Sequence, residues 1–456
     1  MGFIVSIEKE KFPKSFWIAN VAELFERAAF YGMFIFLTVY LTQTIGFSDI
    51  WAGIIGAFFA TGIYILPMFT GAYSDKIGFR NALILAFICL TVGYFTLGIL
   101  HTKMTTVLAL LILMFGGSFI KSVITGTVAK SSTIENRARA YSIFYSMVNV
   151  GSFSGKLFAE PIRAGIDIDA INLHFSGFGV EFIGVYSAVL SFIALIAVIF
   201  YFKDIDTEGV GKTMKELLAG FKKLFAQPRL WVLILIISGF WLVQHQMYAS
   251  MPKYIIRMVG EHATPAWYAN VNPAIIMIFV LLVTRWMQRK PIILSMSIGM
   301  IIMPVSALVM STGPYLETLF GNSVSLGFFS LHPVALAMVI GIGIQGFAEC
   351  FISPRFLEYF SLQAPRGEEG LYLGFAHLHS SVANFVGFFI SGFLLDAYCP
   401  NPERADLVGL TPEQLASYYA GAANIWYVYA AIVAASAVAL LIYDRVLKRI
   451  DARKTD

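Results

Sequence analysis

Charged side chains stand inside segments of this sequence that are otherwise apolar. Glu23, Glu26 and Arg27 are spaced i, i+3 and i+4, so in a helix they share one face. Lys121 and Glu349 each stand alone within another apolar segment. Because an isolated charge among apolar groups is costly, these residues are expected to pair with one another or to face water. They are the leading candidates for proton transfer or for binding of a charged solute.

The composition indicates what the apolar segments are. Of 456 residues, 58% are hydrophobic and only 13% are charged, which is typical of an integral membrane protein. A membrane-spanning helix needs roughly 20 mostly apolar residues, and about twelve segments supply them. The first residues carry mixed charge and run into a full-length span, so we expect an uncleaved anchor rather than a removable signal peptide.

These segments predict two sets of six spans. The first set lies near residues 16–42, 50–73, 81–100, 105–128, 140–162 and 181–202. The second set lies near residues 230–257, 265–287, 291–311, 333–357, 370–396 and 422–444. We therefore predict an all-α membrane protein with six-helix bundles at 1–202 and 230–456. The polar linker 203–229 contains an amphipathic run, Met214 to Phe225, that is expected to lie on an anionic leaflet.

The distribution of Lys and Arg predicts the orientation of the spans. With both termini in the cytoplasm, most basic residues fall in cytoplasmic loops, as the positive-inside rule requires. The outer loops then keep few basic residues: Lys103, Arg163, Lys253, Arg257 and Arg404. This topology explains the net charge of +4 better than a nucleic-acid partner does.

The turn after the second predicted span carries a patterned run of glycines and charges. Gly71, Asp75, Lys76, Gly78 and Arg80 fit GxxxD(K/R)xGxR, which resembles the signature of the major facilitator superfamily. The glycines permit a tight turn, and the charges can form ion pairs that break when two bundles rock against each other. An ordinary cytoplasmic turn is the alternative.

A closer resemblance begins in the first span. Glu23, Glu26 and Arg27 resemble the ExxER motif of the proton-coupled oligopeptide transporter family. Further blocks resemble that family in matching order: Ala60 to Pro67, Phe115 to Lys121, Phe144 to Ser152, Phe240 to Gln246, Val271 to Pro273 and Phe347 to Pro354. The resemblance implies a major facilitator fold with twelve transmembrane helices, alternating access and proton-coupled import of di- or tripeptides or similar small zwitterions.

The positions of Lys121 and Glu349 indicate a zwitterionic solute even when the family resemblance is set aside. They lie at similar depth in spans 4 and 10, which are counterparts in the two halves. One half then offers a cation to the solute carboxylate, and the other offers an anion to its amino group. The alternative is that Lys121 pairs with Glu23 or Glu26 and Glu349 with Arg355, which leaves no free charge at the site.

The same residues give an expectation for proton coupling and substrate binding. Carboxylates that gain or lose a salt bridge change their proton affinity, so Glu23 and Glu26 are the expected proton carriers. Arg27, Lys121 and Glu349 complete the coupling set. The expected substrate contacts, largely implied by the resemblance, are Arg27, Tyr31, Tyr64, Lys121, Asn149, Gln244, His245, Asn272 and Glu349.

Three positions lack a residue that the resembled family usually has. Phe34 stands in place of a second arginine, His245 in place of a span 7 glutamate, and Ala376 in place of a span 11 tryptophan. His245 is either an added proton site or a histidine hydrogen-bonded between helices.

Other unusual residues lie nearby. His377 and His379 are spaced i, i+2, so they point to nearly opposite helix faces and make a poor metal pair. Arg355 either compensates for the arginine missing at Phe34 or extends to the membrane surface. Gly151 and Gly155 form a GxxxG pair that predicts close packing of span 5 against a neighbour.

Several functions compete with peptide symport. Another major facilitator transporter, for an amino acid, nucleoside or drug by symport or antiport, is the main alternative. An enzyme is not expected, since the sequence has no GxSxG, no HExxH and no paired aspartates within spans. Three scattered cysteines make neither a disulfide framework nor a metal cluster.

The expected setting follows from the class of protein. We expect a monomer in a plasma membrane or a bacterial inner membrane. Its partners are protons, a small zwitterionic solute and the lipid bilayer, with no nucleic acid, cofactor or metal.

Overall fold

The computed structural model describes residues 12–133, 136–168, 173–203, 214–327, 330–365 and 368–455, and these are almost entirely helical. The helices before the linker are α1 Lys14–Phe34, α2 Leu37–Val39, α3 Asp49–Ile65, α4 Pro67–Ile77, α5 Phe79–Ile99, α6 Lys103–Lys130, α7 Arg137–Ala164 and α8 Phe182–Tyr201. The later helices are α9 Met214–Phe225, α10 Pro228–Gln244, α11 Gln246–Ala249, α12 Met251–Val259, α13 Pro265–Ala269, α14 Val271–Met287, α15 Ile292–Ser311, α16 Gly313–Phe320, α17 Pro333–Gln363, α18 Glu369–Ala376, α19 Leu378–Tyr398, α20 Pro412–Tyr419 and α21 Asn424–Thr455.

The helices match membrane spans in length and composition. In the described residues, ten helical segments are long and apolar enough to cross a membrane. An eleventh span forms when α1 is joined, across a 42° bend, to α2 and the π-helical turn Tyr40–Thr44. The remaining predicted span is α7, which is 28 residues long but more polar than the others. The prediction of an all-α membrane protein is confirmed.

Glycines set the closest contacts between helices. A side chain at Gly155 of α7 would clash with the backbone of Ala28 on α1, and a Cβ at Gly151 would lie 2.5 Å from the Leu24 carbonyl oxygen. Absence of a side chain at both positions lets α7 approach α1 closely. The predicted packing of the GxxxG pair is confirmed.

A second glycine contact joins the early and late parts of the chain. A Cβ at Gly53 of α3 would lie 2.7 Å from the carbonyl oxygen of Phe388 and 2.9 Å from Gly392, both on α19. Gly56, one turn further along α3, lies against the Phe388 ring. The two helices therefore touch along their backbones.

Hydrogen bonds define the two ends of the helix array. Ser15 donates to the Lys203 carbonyl at 2.8 Å, and Tyr443 donates to the Arg229 carbonyl at 2.7 Å. The first helix, both ends of the linker and the last helix therefore lie together on what we call the termini side. The opposite ends of the spans form the far side.

Two short hairpins lie in far-side loops. β1 Gly165–Ile168 pairs antiparallel with β2 Leu173–Ser176, with Gly165 opposite Ser176. β3 Val324–Ser325 pairs antiparallel with β4 Ser330–Leu331. Both extend loops between spans, so they leave the helix array unbroken.

The linker helix α9 packs on protein. The rings of Phe221 and Phe225 lie 6.0 and 5.0 Å from the ring of Phe375 on α18, and Lys223 lies 3.7 Å from Glu368. The amphipathic pattern alone had led us to expect that lipid covers the apolar face of α9. Part of this face is covered by α18 instead.

Candidate functional site

Arg27 is held between two carboxylates of α1. Its Nε forms a short ion pair with Glu26 Oε2 and lies 3.3 Å from Glu23 Oε1, and all three residues are buried. The guanidinium also lies over the rings of Phe30 and Tyr31, 5.3 and 5.9 Å from their centres. One cation shared by two carboxylates can keep one partner when the other takes up a proton.

Lys121 is a cation without a carboxylate partner. It is half-buried on α6, and its Nζ lies 3.9 Å from the ring centre of Tyr64 on α3. Glu23 and Glu26 act on it electrostatically, but within the described residues no carboxylate lies at ion-pair distance from it. The alternative of a closed pair with either glutamate is therefore wrong for this conformation.

Glu349 on α17 is surrounded by neutral donors. Its Oε2 accepts hydrogen bonds at 3.4 Å from Gln244 of α10 and from Asn272 of α14, and its Oε1 accepts one at 3.5 Å from Ser353. Neutral donors orient a carboxylate without cancelling its charge. Glu349 therefore has no cationic partner among the described residues.

The tyrosines Tyr31 and Tyr248 connect the two charged groups. The Tyr31 ring lies 6.0 Å from the ring of Tyr248 on α11, and its hydroxyl is within electrostatic range of Glu26 on one side and Glu349 on the other. The cluster on α1 and α6 therefore faces Glu349 across this aromatic pair. We call the region between the two groups, where the early and late spans meet, the cavity.

The part of α7 nearest the termini side carries an exposed residue close to Glu349. Tyr145, in the first half of α7, has 58% of its surface exposed although it lies within electrostatic range of Glu349. Asn149, one turn further, is half-buried and donates its amide to the Tyr145 carbonyl at 2.9 Å. Glu349 therefore has an exposed neighbour on the termini side.

Ion pairs between the early and late spans close the far side. Asp49 at the start of α3 pairs with Lys253 at 2.6 Å and with Arg257 at 2.9 Å, both on α12. Asp49 and Lys253 are buried. The two basic residues therefore lie on a far-side helix rather than in a loop, and their counter-ion is more than 200 residues away in the chain.

A second group of far-side contacts involves α7. Glu160 pairs with Arg163 at 2.8 Å and accepts a hydrogen bond from the Ala266 backbone at 2.8 Å. Arg163 also pairs with Glu261 at 3.4 Å and donates to the Ala263 carbonyl. Arg163 is therefore buried in a contact between the two parts of the chain, and it lies in the last turn of α7 rather than in a loop.

Comparison with known proteins decides the family. The model of the Major Facilitator Superfamily matches residues 19–321. The chain belongs to this superfamily. It is 22% identical over 447 residues to Dipeptide and tripeptide permease A of Citrobacter koseri, with 86% of each chain covered. It is 20% identical over 382 residues to Multidrug resistance protein MdtH of Blochmanniella pennsylvanica, with 82% of this chain and 84% of the relative covered.

Solved structures agree with the superfamily assignment. The chain is similar to the POT family transporter PepTSo, with a TM-score of 0.71, 17% identity and coverage of 96% of this chain and 99% of that one. It is also similar to a peptide transporter POT in complex with sulfate, with a TM-score of 0.70, 18% identity and coverage of 96% and 95%. The predicted major facilitator fold is confirmed.

The superfamily motif forms a tight turn on the termini side. Gly78 has a φ of +81° between α4 and α5, a conformation that glycine adopts without strain. A Cβ at Gly71 would lie 3.2 Å from Ser122 of α6, so this glycine allows a close approach. Arg80 donates to the Ile199 carbonyl at 2.8 Å. The motif therefore fixes α4, α5, α6 and α8 relative to one another.

The residues that depart from the resembled family occupy separate places. Phe34 lies in an aromatic cluster, 5.1 Å from the ring of Tyr248 and 5.6 Å from that of Phe388. Arg355 is buried and bound to Glu358 at 2.6 Å, so the proposed pair with Glu349 is wrong and Arg355 lies outside the cavity.

The three histidines near the helix breaks differ in the hydrogen bonds that they make. His379 bonds the Ala376 carbonyl at 2.7 Å and Ser380 at 3.0 Å, which stabilises the break between α18 and α19. His245 is buried at the break between α10 and α11, and its Nδ1 has no hydrogen-bond partner in the described residues. His377 is the C-cap residue of α18, where its backbone N–H donates to the Leu373 carbonyl at 3.2 Å, and its side chain does not cap α19. Of the two buried histidines, His245 is the one with unused hydrogen-bonding capacity.

Two apolar grooves lie away from these charges. One of about 710 Å³ is lined by residues of α3, α6 and α19, including Trp51, Phe58 and Phe385. The other, of about 650 Å³, lies beside α10 and α19. Their lining offers no charge to a polar solute, so we place the functional site at the charged cavity instead.

Sequence reasoning missed Lys156 and Glu160, and it placed Arg163 in a loop rather than on the same helix. Their spacing of i, i+4 and i+7 within predicted span 5 is the same kind of signal that singled out Glu23 and Arg27. Asp49 had no such signal, since its partners come from the other half of the chain.

Proposed function

We propose that this protein is a proton-coupled symporter that imports small zwitterionic solutes, with di- and tripeptides as the best candidates. The observation that carries this proposal is a cavity with the unpaired cation Lys121 on one wall and Glu349, held only by neutral donors, on the other. A solute carboxylate binds Lys121 and its amino group binds Glu349. Charged groups placed in this way recognise both ends of a short peptide.

Glu23 and Glu26 carry the proton. When one of them is protonated, Arg27 keeps the other as its partner, so proton binding does not leave an unpaired arginine in the span. Lys121 lies close enough to sense the change in charge. Substrate binding at Lys121 and proton binding on α1 are therefore coupled through electrostatics rather than through a shared ligand.

Residues 1–202 and 230–456 act as two bundles that rock about this cavity, with 203–229 as their linker. The termini side is cytoplasmic, in a plasma membrane or bacterial inner membrane, and the chain works as a monomer. The far-side ion pairs of Asp49 and Arg163 then hold an inward-facing state. Asp75 and Lys76 of the superfamily motif change partners when the bundles move.

The names of the relatives support peptide transport and leave multidrug transport as the competing function. Dipeptide and tripeptide permease A has its substrate in its name, whereas MdtH is named for multidrug resistance. The tyrosines Tyr31, Tyr64 and Tyr248 suit a flat organic cation through cation–π contacts. Lys121 opposes such a ligand, because a free ammonium in the same cavity repels it.

Uptake into proteoliposomes tests the proposal. Purified protein is reconstituted, and accumulation of labelled dialanine is followed with and without an inward proton gradient. We expect accumulation that a protonophore abolishes, with tripeptides competing and free amino acids, nucleosides and cationic dyes failing to compete. Gradient-driven movement of a dye or nucleoside in place of the peptide would reassign the substrate.

A further inference from the structure

Lys156 on α7 is a buried charge without a partner. Only 1% of its surface is exposed, and its Nζ lies 5.9 Å from the ring centre of Tyr31. No hydrogen bond or ion pair connects it to another described residue. Every other buried charged residue of the described part has a polar partner: Glu23, Glu26, Arg27, Asp49, Glu160, Arg163, Lys253 and Arg355.

Lys156 lies on α7 between the cavity and the far-side contacts. On α7 it shares a face with Asn149, two turns toward the cavity, and with Glu160, one turn toward the far side. Residues of the late spans cover this part of α7. Asn270 donates to the Phe153 carbonyl at 3.1 Å, and Trp267 donates to the Leu157 carbonyl at 3.0 Å. Separation of the two bundles on the far side would uncover Lys156 to solute arriving from outside.

An ammonium in this place needs an anion when the far side closes. Burying an isolated charge is costly, and a paired anion offsets that cost. A ligand that binds the closed form better than the open form drives closure by that difference in affinity. An acidic group brought in by the solute would have this effect at Lys156.

The charges of the cavity also favour a solute with a second acidic group. The cations Arg27, Lys121 and Lys156 are matched by the carboxylates Glu23, Glu26 and Glu349. When one carboxylate on α1 carries the transported proton, these six side chains comprise three formal cations and two formal anions, a formal net charge of +1. A zwitterion leaves this charge in place, whereas a solute with net charge −1 neutralises it.

We propose that Lys156 binds a second acidic group of the solute, so that the transporter prefers short peptides with an aspartate or glutamate side chain. Lys121 and Glu349 bind the peptide termini, and Lys156 binds the side-chain carboxylate on the far side of them. This inference rests on the proposed function, and it names the substrate class within it.

Competition between two nearly isosteric dipeptides tests the inference. Inhibition of labelled dialanine uptake is measured for Ala-Glu and Ala-Gln, which differ in charge but hardly in size. We expect Ala-Glu to inhibit at about one-tenth of the Ala-Gln concentration, since a charge-assisted contact is worth about a factor of ten or more. In Lys156→Met the ratio should fall to about one, and Lys156→Arg should restore a preference for Ala-Glu.

Lys103→Met is the matched control. Lys103 is an exposed lysine at the start of α6, and its removal should leave both the ratio and dialanine uptake unchanged. Wild-type protein that does not distinguish the two peptides overturns the inference, as does Lys156→Met with the wild-type ratio. A loss of proton-driven accumulation in Lys156→Met at an unchanged ratio would place Lys156 in proton coupling and also overturns it. If dialanine is not accumulated at all, the proposed function fails together with the inference.

Discussion

The decisive feature at the scale of residues is which charges within the membrane spans lack an oppositely charged partner. Arg27 has two carboxylates, whereas Lys121 and Glu349 have no opposite charge within ion-pair distance in the described residues. Charges left unpaired in a membrane protein are costly, so they are retained where a ligand or water can reach them. The arrangement gives the cavity distinct cationic and anionic ends.

Substitution of the two ends should affect different ligands. Lys121→Ala should weaken binding of carboxylate-bearing peptides about tenfold to a hundredfold, because a charged hydrogen bond contributes about 1.5 to 3 kcal/mol. Glu349→Gln keeps the shape of the side chain but removes its charge. It should weaken the binding of amine-bearing ligands more than the binding of amine-free analogues. Inhibition constants for peptides blocked at one end, measured on both variants, check this. Equal losses for all ligands would indicate that either residue is only structural.

Glu26→Gln should separate proton coupling from solute exchange. The amide cannot carry a proton into the cell, and Glu23 still pairs with Arg27, so the span keeps a neutralised arginine. We expect uphill accumulation to be lost while counterflow exchange of peptide between equal pools remains measurable. Retained accumulation in this variant would remove Glu26 from the coupling role.

At the scale of elements, close backbone contacts at glycines decide how the helices are arranged. Gly151 and Gly155 let α7 lie directly on α1, and this brings Lys156 beside Tyr31 and Asn149 to the cavity. Gly53 and Gly392 join α3 to α19 in the same way. The site is therefore assembled by close backbone contacts that a single methyl group would disturb.

Gly155→Leu should separate α7 from α1 and lower the stability of the protein. Overpacking of a close contact typically costs about 1 to 3 kcal/mol, so the thermal unfolding temperature in detergent should fall by several degrees, with reduced peptide binding. Gly374→Ala is the matched control, since a Cβ at this helical glycine meets no atom within 4 Å. Equal melting temperatures for wild type and Gly155→Leu would contradict the close contact.

At the scale of the whole molecule, ion pairs on the far side decide the conformation. Asp49 with Lys253 and Arg257, and Arg163 with the segment around Glu261, join the early spans to the late spans. The exposed Tyr145 lies on the termini side of the cavity. These contacts must break before the far side can open.

Asp49→Asn should shift the population toward far-side opening. Removal of one partner from a buried ion pair typically costs about 3 to 5 kcal/mol, and opening relieves this by exposing Lys253 and Arg257 to water. Spin labels at Lys103→Cys and Val408→Cys, one on each half, should report a larger fraction of long distances. Asp444→Asn, which removes a pair with Lys448 within α21, should leave the distances unchanged. An unaltered distribution in Asp49→Asn would show that this ion pair does not hold the closed state.

The sequence by itself determined the spans, the superfamily motif and the charges at the centre. Runs of apolar residues specify membrane helices locally, and a charge within such a run is visible without knowledge of its neighbours. Glu23, Glu26, Arg27, Lys121 and Glu349 could therefore be named from their positions alone. The GxxxG contact of α7 was predictable for the same reason, because its spacing is local.

Only the tertiary structure decided which of these charges are paired. Asp49 meets Lys253 across 204 residues of chain, Arg355 binds Glu358 instead of Glu349, and Lys156 has no partner in the described residues. The pair of Asp49 and Lys253 joins side chains of different helices at 2.6 Å, a contact that the packing of the bundle sets and no local pattern records. The sequence thus determined where the charges lie, and the fold determined which of them remain free to bind a solute.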